Sequence, residues 1–504
     1  MAVNGLALCD RREFLRWSAA GMATVCGAYG GARAAGATDE PHDAFQEGNL
    51  PCVRAARADA VIWLCMLGGV SHLESFDPKP ALNKYAGKTF SATPFDVLNQ
   101  RFTNKNIDNM GSKEGPKHES HILPLQVGFQ KQGESGIEVS DWWPCVGRRI
   151  DDIAVVRSLW TTDFQHSAQA QFHTGRPVRM SRPPSVGAWV RYAAGSRSSR
   201  LPGFIVLGQP PSDFGGGRTA HEASYLGPSY AGVRLSSSPT SALPFSPPDS
   251  RLYAQAQRNE FELLRQMNTL TAQGEPNDSS RKARSRAYEL AYSMQESYPR
   301  VLDMSDETPE TQQLYGLDEP VTEPFGRQCL VARRLVEQGV RFIQIYHGGN
   351  PNNDNGDWDA HQNVRENHGR MCPRVDKPIA GLLQDLKRRG MLERTLVVWG
   401  SEFGRAPNVD FRTPCGGPDF SKRMGRDHHV FGFSCWFAGG GVKGGVVHGR
   451  TDELGFHAVE DRHYVTDVHA TIYHLLGLPH DRMKIEGRQR LPDDLGTPIH
   501  GILA

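Results

Sequence analysis

The sequence has almost no net charge, with 57 Lys and Arg residues against 56 Asp and Glu residues among 504. A balanced charge gives no global field that would attract nucleic acid or an anionic membrane surface, so we expect neither as a partner. The chain also has no run of about 18 apolar residues after its N-terminal segment, which is the length that a spanning helix needs. No membrane span is therefore predicted, and the apolar fraction of 38% is typical of a soluble globular protein.

The cysteines lack the spacing of a metal site. No C-x-x-C pair occurs, which argues against a zinc site built on cysteine. An oxidising compartment would allow disulfides among the cysteines that follow the N-terminal segment. These are Cys52, Cys65, Cys145, Cys329, Cys372, Cys415 and Cys435. The glycine-rich stretch 438–445 likewise lacks the G-x-x-x-x-G-K-[ST] spacing of a phosphate-binding loop and predicts a turn or hairpin.

The N-terminus has the pattern of an export signal. Asp10-Arg-Arg-Glu-Phe-Leu-Arg16 is a twin-arginine motif, and a weakly apolar stretch from Trp17 to Tyr29 follows it. Ala32-Arg33-Ala34 then provides a small-residue cleavage site. The pattern predicts a signal peptide over 1–34, a mature domain over 35–504 and a periplasmic or extracellular location. A cytoplasmic amphipathic start is the alternative.

Five short, nearly continuous apolar runs predict strands that are buried on both faces, as in a parallel sheet. They cover residues 60–67, 153–159, 204–207, 340–346 and 395–399. Apolar residues at helical spacing predict helices at 328–338, 376–389 and 465–477. Residues 431–437 predict a further strand. The pattern indicates an α/β fold with insertions at about 86–140 and 208–300, the second containing a helical hairpin over 251–298.

Polar residues follow two of these strands. Asp357, Asp359 and His361 come after the 340–346 strand, and Glu402 comes directly after the 395–399 strand. Loops at the carboxyl ends of parallel strands lie at one edge of the sheet. Carboxylate and imidazole together suit Zn or Mn, whereas an all-oxygen set suits Ca or Mg. The alternative is that the aspartates cap the loop and Glu402 is a buried ion-pair partner.

A third loop follows the 153–159 strand. His166 and Ser167 lie there at the predicted start of a helix, where backbone N–H groups can bind an oxyanion. The alternative is that Ser167 only caps the helix.

Nearly the whole chain after the N-terminal segment resembles the DUF1501 proteins, which are sulfatase-like members of the alkaline phosphatase and sulfatase superfamily. The resemblance rests on residues 67–79, 166–175, 358–361, 399–405, 425–428, 438–445 and 451–453. It implies an alkaline-phosphatase-like core, with a mostly parallel central sheet flanked by helices and a metal site at the strand ends.

The resemblance also implies site residues. The superfamily places an Asp-x-x-x-His pair after one strand, which Asp357 and His361 match, although the DUF1501 motif favours Asp359 with His361. Glu402-Phe403 stands where an Asp-His pair is usual, and His428 or His429 is the downstream histidine. The sulfatase signature C-x-P-S-R is absent, which argues against formylglycine chemistry. Ser167 or His166 would then be the nucleophile.

Two functions fit these observations. The first is an exported, metal-dependent hydrolase of sulfate or phosphate esters, with Zn, Mn, Ca or Mg as its ion and a small molecule or polysaccharide ester as its substrate. The second is a non-catalytic, metal-stabilised protein that binds an anionic extracellular polymer. The missing nucleophile signature keeps both open.

The export motif gives a direct prediction. Changing both Arg11 and Arg12 to Lys should abolish export and cleavage near Ala34, because the translocase reads the paired guanidinium groups. Fractionation of cells that express the tagged full chain measures this, with wild type as the control. Undiminished export of the double variant would refute the signal.

Overall fold

The computed structural model describes residues 52–95, 121–178, 181–238, 250–272, 279–348, 357–410, 424–485 and 495–504. The predicted signal peptide, residues 96–120 of the first predicted insertion and Cys415 lie outside these residues. The six described cysteines are free thiols. None of the described helices combines the length and the apolar composition needed to cross a lipid bilayer.

The described strands are numbered in chain order. They are β1 (Ala60–Leu67), β2 (Phe129–Gln132), β3 (Ile137–Ser140), β4 (Ile153–Trp160), β5 (Phe204–Gly208), β6 (Val233–Arg234), β7 (Phe342–Gly348), β8 (Thr395–Gly400), β9 (Gly404–Val409), β10 (Arg426–His429), β11 (Phe433–Ala438), β12 (Val446–His448), β13 (Arg450–Thr451), β14 (Ala458–Glu460) and β15 (His463–Tyr464).

Nine of these strands form the central sheet. Its order is β12-β4-β11-β8-β1-β7-β5-β6, and β15 also pairs with β4. Neighbouring strands are parallel except where β11 runs antiparallel between β4 and β8. The mostly parallel α/β sheet predicted from the apolar runs is therefore confirmed. The runs were the right signal because β1 and β8 are buried along their whole length.

The described helices are α1 (Pro80–Lys84), α2 (Pro144–Gly147), α3 (Ala168–Thr174), α4 (Val186–Ala194), α5 (Ser250–Ala272), α6 (Ser279–Leu302), α7 (Pro309–Leu314), α8 (Glu323–Glu337), α9 (Val364–Arg388) and α10 (Val465–Leu475). α9 begins at Val364, twelve residues before the predicted start at 376. Pro373 and Pro378 lie inside it. Its early turns bury His368, Met371 and Cys372, and this packing offsets the backbone hydrogen bonds that the prolines remove.

The chain divides into two compact units. The first comprises residues 1–46 and 243–285, and the second comprises 47–242 and 286–504. In the first unit the described residues are α5 and residues 279–285 of α6. The whole central sheet belongs to the second unit.

Three neighbouring strands bring their carboxyl ends to one edge of the sheet. In the parallel register, Leu67 of β1 lies opposite Gly348 of β7, and Cys65 lies opposite Gly400 of β8. The loops after these strands therefore start side by side. Beneath them, Trp358 stacks on Trp143 with ring centroids 6.1 Å apart. These two fully buried rings anchor the loop that presents the next residue, Asp359.

Gly68 makes the contact between two of these loops possible. It has φ +121°, and a Cβ added to it would lie 2.5 Å from the backbone nitrogen of Asp359. Its own N–H donates to Glu402 Oε1 at 2.8 Å. A side chain at this position would push the loop that carries Asp359 away from β1.

Gly68→Ala should therefore lower stability more than Gly87→Ala does. Both glycines have positive φ, +121° and +73°, so both substitutions cost backbone strain of about 1–2 kcal/mol. Only at Gly68 does the new methyl group meet backbone, which adds roughly 1–3 kcal/mol of overpacking. Thermal unfolding of the two variants beside wild type measures the difference. Equal losses would contradict the argument.

Candidate metal centre

Histidines and carboxylates from three loops and from strand β10 meet at this edge of the sheet. Asp359 and His361 lie between β7 and α9, Glu402 lies between β8 and β9, and His166 lies between β4 and α3. His428 comes from β10, which pairs antiparallel with β9 so that His428 lies opposite Arg405. The sheet thus assembles residues that are up to 262 positions apart in the sequence.

Three atoms that could act as metal ligands form a close triangle. His361 Nε2 lies 3.0 Å from His428 Nε2 and 3.0 Å from Asp359 Oδ1. His428 Nε2 lies 3.2 Å from the same carboxylate oxygen. Ligand atoms around a tetrahedral zinc ion with bonds of 2.0–2.1 Å are about 3.3 Å apart. The triangle therefore has the dimensions of one face of such a site.

In His361 and His428, the hydrogen bond made by Nδ1 fixes the direction in which the Nε2 lone pair points. His361 Nδ1 donates to Asp410 Oδ2 at 2.5 Å, and His428 Nδ1 donates to the carbonyl of Phe164 at 2.7 Å. Both Nε2 atoms of neutral rings then point lone pairs at each other and at Asp359. Only a shared proton or a cation can occupy that point favourably. A carboxylate-oriented imidazole is also the usual arrangement of a histidine metal ligand.

The two imidazoles differ in proton affinity. Burial lowers the pKa of His361, but hydrogen bonds to Asp359 and Asp410 outweigh it and raise the pKa above its ordinary value. Burial lowers the pKa of His428 to about 4 despite its hydrogen bond to Asp359. Without an ion, His361 therefore holds the proton that the pair shares.

The Asp359 carboxylate contacts four side chains, those of Arg405, His166, His361 and His428. Its Oδ1 accepts from Arg405 Nη2 at 2.6 Å as well as facing the two histidines. Its Oδ2 lies 3.2 Å from His166 Nε2. Burial alone would raise its pKa, but the hydrogen bonds to His166, His361 and His428 hold that pKa well below its ordinary range. Asp359 is therefore an anion.

His166 links Asp359 to Glu402. Its Nδ1 lies 3.2 Å from Glu402 Oε1, which also accepts from Gln169 Nε2 at 2.9 Å. Burial lowers the pKa of His166, but its hydrogen bonds to the two carboxylates raise it to about 9. For Glu402 the two effects have the opposite signs. Burial raises its pKa, but the contacts with His166 and Gln169 together outweigh burial and lower the pKa below its ordinary value. Glu402 thus lies in contact with His166 on the buried side of the group.

The structure separates the two candidate aspartates of the 340–361 region. Asp359, and not Asp357, meets His361. Asp357 Oδ1 instead accepts from the backbone N–H of Asp359 at 3.2 Å, which is the loop-capping contact. Asp427 Oδ1 lies 3.4 Å from His361 Nδ1, and Asp427 can form a second three-donor group with His361 and His428.

Two candidates lie outside the cluster. His429 faces the opposite side of β10, where its Nε2 donates to the carbonyl of Phe456 and burial lowers its pKa to about 3. Ser167 stands at the N-cap position of α3, but its hydroxyl makes no capping bond. It donates instead to Asp163 Oδ2 at 2.6 Å. The structure therefore does not bring His429 or the Ser167 hydroxyl together with the other site residues.

Sequence reasoning missed Arg405, Asp410 and Gln169. Arg405 stands in the Gly404-Arg405 pair at the start of β9, but nothing in the sequence pairs it with Asp359. Asp410 is fully buried and lies 49 positions from His361, so no local spacing indicates their contact. Gln169 lies three residues after His166 at the start of α3, a spacing that would have placed both on one helical face.

Solved structures similar to this chain include three different proteins. A PsFucS1 sulfatase from Pseudoalteromonas sp. is 15% identical, with a TM-score of 0.33, over 89% of this chain and 72% of that one. The lipoteichoic acid synthase LtaP from Listeria monocytogenes is 9% identical, with a TM-score of 0.31, over 88% and 77%. A TAB5 alkaline phosphatase variant with Mg bound is 9% identical, with a TM-score of 0.31, over 84% and 99%. Similarity at this level transfers no activity to this chain.

No curated protein matches the sequence. The family described as "Protein of unknown function (DUF1501)" matches residues 58–503, which include every residue of the cluster. The chain belongs to the DUF1501 family.

Proposed function

We propose that this protein is an exported, metal-dependent hydrolase of sulfate or phosphate esters. The observation that carries the proposal is the triangle of His361 Nε2, His428 Nε2 and Asp359 Oδ1, with sides of 3.0–3.2 Å. Two imidazoles and one carboxylate favour an ion of the Zn or Mn type over Ca or Mg. When bound there, a divalent ion would polarise an ester oxygen and lower the pKa of a nearby water.

The surrounding side chains suit an anionic substrate. The side chains of His166, Asp359 and His361 keep 16%, 24% and 18% of their surface exposed, so the cluster can be reached from solvent. His166, whose side chain is partly exposed, places positive charge beside Asp359. Preorganised positive charge stabilises the negative charge that develops on a phosphoryl or sulfuryl group.

Water is the nucleophile that this arrangement favours. Ser167 Oγ is held by Asp163 at 2.6 Å, and both ring nitrogens of His166 face carboxylates at 3.2 Å. Both nitrogens of His166 are thus engaged, and the Ser167 hydroxyl has its hydrogen bond with Asp163 and none with an atom of the triangle. The same observation supports the second candidate function, a metal-stabilised protein that binds anionic polymer without cleaving it.

The first test combines metal content with turnover. Protein expressed with Zn or Mn supplied should contain bound ion by elemental analysis and should hydrolyse at least one aryl sulfate, phosphate monoester or phosphodiester. His361→Ala removes a ligand, so it should lose ion affinity by more than the roughly 10–100-fold that loss of an outer-shell partner costs. It should lose turnover in parallel.

His448→Ala is the matched control. His448 and His463 form another histidine pair, with Nε2 atoms 2.9 Å apart, but the described residues form no three-donor group around it. This variant should keep its ion and its activity. If the wild-type protein contains no stoichiometric ion, the proposed metal dependence is refuted. An ion-loaded wild type that cleaves none of the esters would favour the binding function.

Ser167→Ala tests the nucleophile. If water attacks, the variant should keep most of the wild-type kcat, whereas a serine-ester mechanism should lose most of it. Asp163→Asn is the companion variant, because it removes the carboxylate charge beside the hydroxyl and leaves the serine in place. Loss of turnover in Ser167→Ala, with ion content unchanged, would contradict attack by water.

A further inference from the structure

We propose that the buried ion pair of Glu74 and Arg426 positions His428 for metal binding, so that these two residues control the ion affinity of the centre without touching the ion. The inference rests on the proposed metal dependence and adds two positioning residues to it. His428 belongs to both three-donor groups that the described residues form at the strand ends. The inference therefore holds whichever neighbouring histidine completes the ligand set.

Glu74 and Arg426 form an ion pair that is shielded from solvent. Both side chains have an exposed fraction of 0%. Arg426 Nη2 donates to Glu74 Oε1 at 2.7 Å, and Arg426 Nε lies 3.1 Å from each oxygen of the same carboxylate. The hydroxyl of Ser71 also donates to Glu74. A buried charge without its partner is very unfavourable, so the two side chains hold each other in place.

The Arg426 guanidinium binds β9 where the pairing of β9 with β10 is irregular. Val409 lies opposite Arg426. Arg405 lies opposite His428, so the pairing advances four positions along β9 and only two along β10. Within this irregular part of β9, the carbonyls of residues 406 and 407 accept from Arg426 Nη1 at 3.2 Å and 2.8 Å. The side chain therefore fixes where β10 lies along β9, and with it the position of His428.

The backbone of Arg426 holds the loop that carries the other two atoms of the triangle. Its N–H donates at 3.0 Å to the carbonyl of Ala360, the residue between Asp359 and His361. A Cβ added to Gly425 would lie 2.1 Å from the carbonyl carbon of His361, so the two backbones are in direct contact. A displacement of Arg426 would therefore change the distances between ligand atoms on β10 and those on this loop.

Arg333 is a matched control for a buried arginine. Its side chain keeps 2% of its surface exposed and pairs with Glu307 at 2.6 Å, Glu337 at 2.8 Å and Asp385 at 3.0 Å. None of these contacts involves the triangle or β10. A change of Arg to Lys keeps the positive charge but loses the planar fork of donors. At either position it should lower stability, but only at Arg426 should it alter the ion site.

Ion affinity and coordination geometry separate positioning from stability. Wild type, Arg426→Lys, Glu74→Gln and Arg333→Lys are freed of metal and titrated with Zn(II) by calorimetry and with Co(II) by visible absorption, with circular dichroism as the check on folding. Arg426→Lys and Glu74→Gln should weaken Zn(II) binding by roughly 10–100-fold, as loss of an outer-shell partner does. They should also change the Co(II) d–d bands, which report ligand geometry. Arg333→Lys should lower the melting temperature and leave both ion readouts at wild-type values.

Wild-type Zn(II) affinity and an unchanged Co(II) spectrum in folded Arg426→Lys and Glu74→Gln would overturn the inference and leave the proposed metal dependence intact. Equal changes in Arg333→Lys would also overturn it, because the loss would then follow from stability alone. If neither variant of the pair folds, Ser71→Ala decides, since it removes one hydrogen bond to Glu74. Weaker Zn(II) binding by Ser71→Ala would support the inference, and wild-type values would overturn it. A wild type that binds neither ion would refute both proposals together.

Discussion

The charged carboxylate of Asp359 is the interaction on which the rest of the site depends. A partly buried anion is stable only when hydrogen bonds and positive charge surround it. Arg405 and His166 contact the Asp359 carboxylate on two sides, and His361 and His428 face it on a third side. His166 comes from the loop after β4, Arg405 from β9 and His428 from β10, so the carboxylate joins its own loop to three other segments of the chain.

The fold makes that convergence possible through two structural features. The parallel register of β1, β7 and β8 ends the three strands at one level, which places their loops side by side. Gly68 then lets the loop after β1 lie against the backbone of Trp358 and Asp359, where a side chain would collide. The buried guanidinium of Arg405 ties these loops together, because it donates to Gly69 and Arg426 as well as to Asp359.

The outer contacts of the histidines give the site its chemical character. A carboxylate on His361 and a carbonyl on His428 orient the rings so that both Nε2 atoms meet at Asp359. A carboxylate on each side of His166 keeps that ring engaged at both nitrogens.

The sequence by itself determined the six central strands of the sheet, β4, β11, β8, β1, β7 and β5, because buried strands need nearly continuous apolar runs whatever surrounds them. It also indicated the loops at the carboxyl ends of those strands as the site, and Asp359, His361, Glu402, His166 and His428 do lie together there. Tertiary structure decided the rest. Whether Asp357 or Asp359 faces His361, and whether His428 or His429 points inward, depends on side-chain direction, which alternates along β10 and turns within the loop. The contact of Asp410 with His361 and of Arg405 with Asp359 joins residues far apart in the sequence, so only the packing of the folded chain determines it.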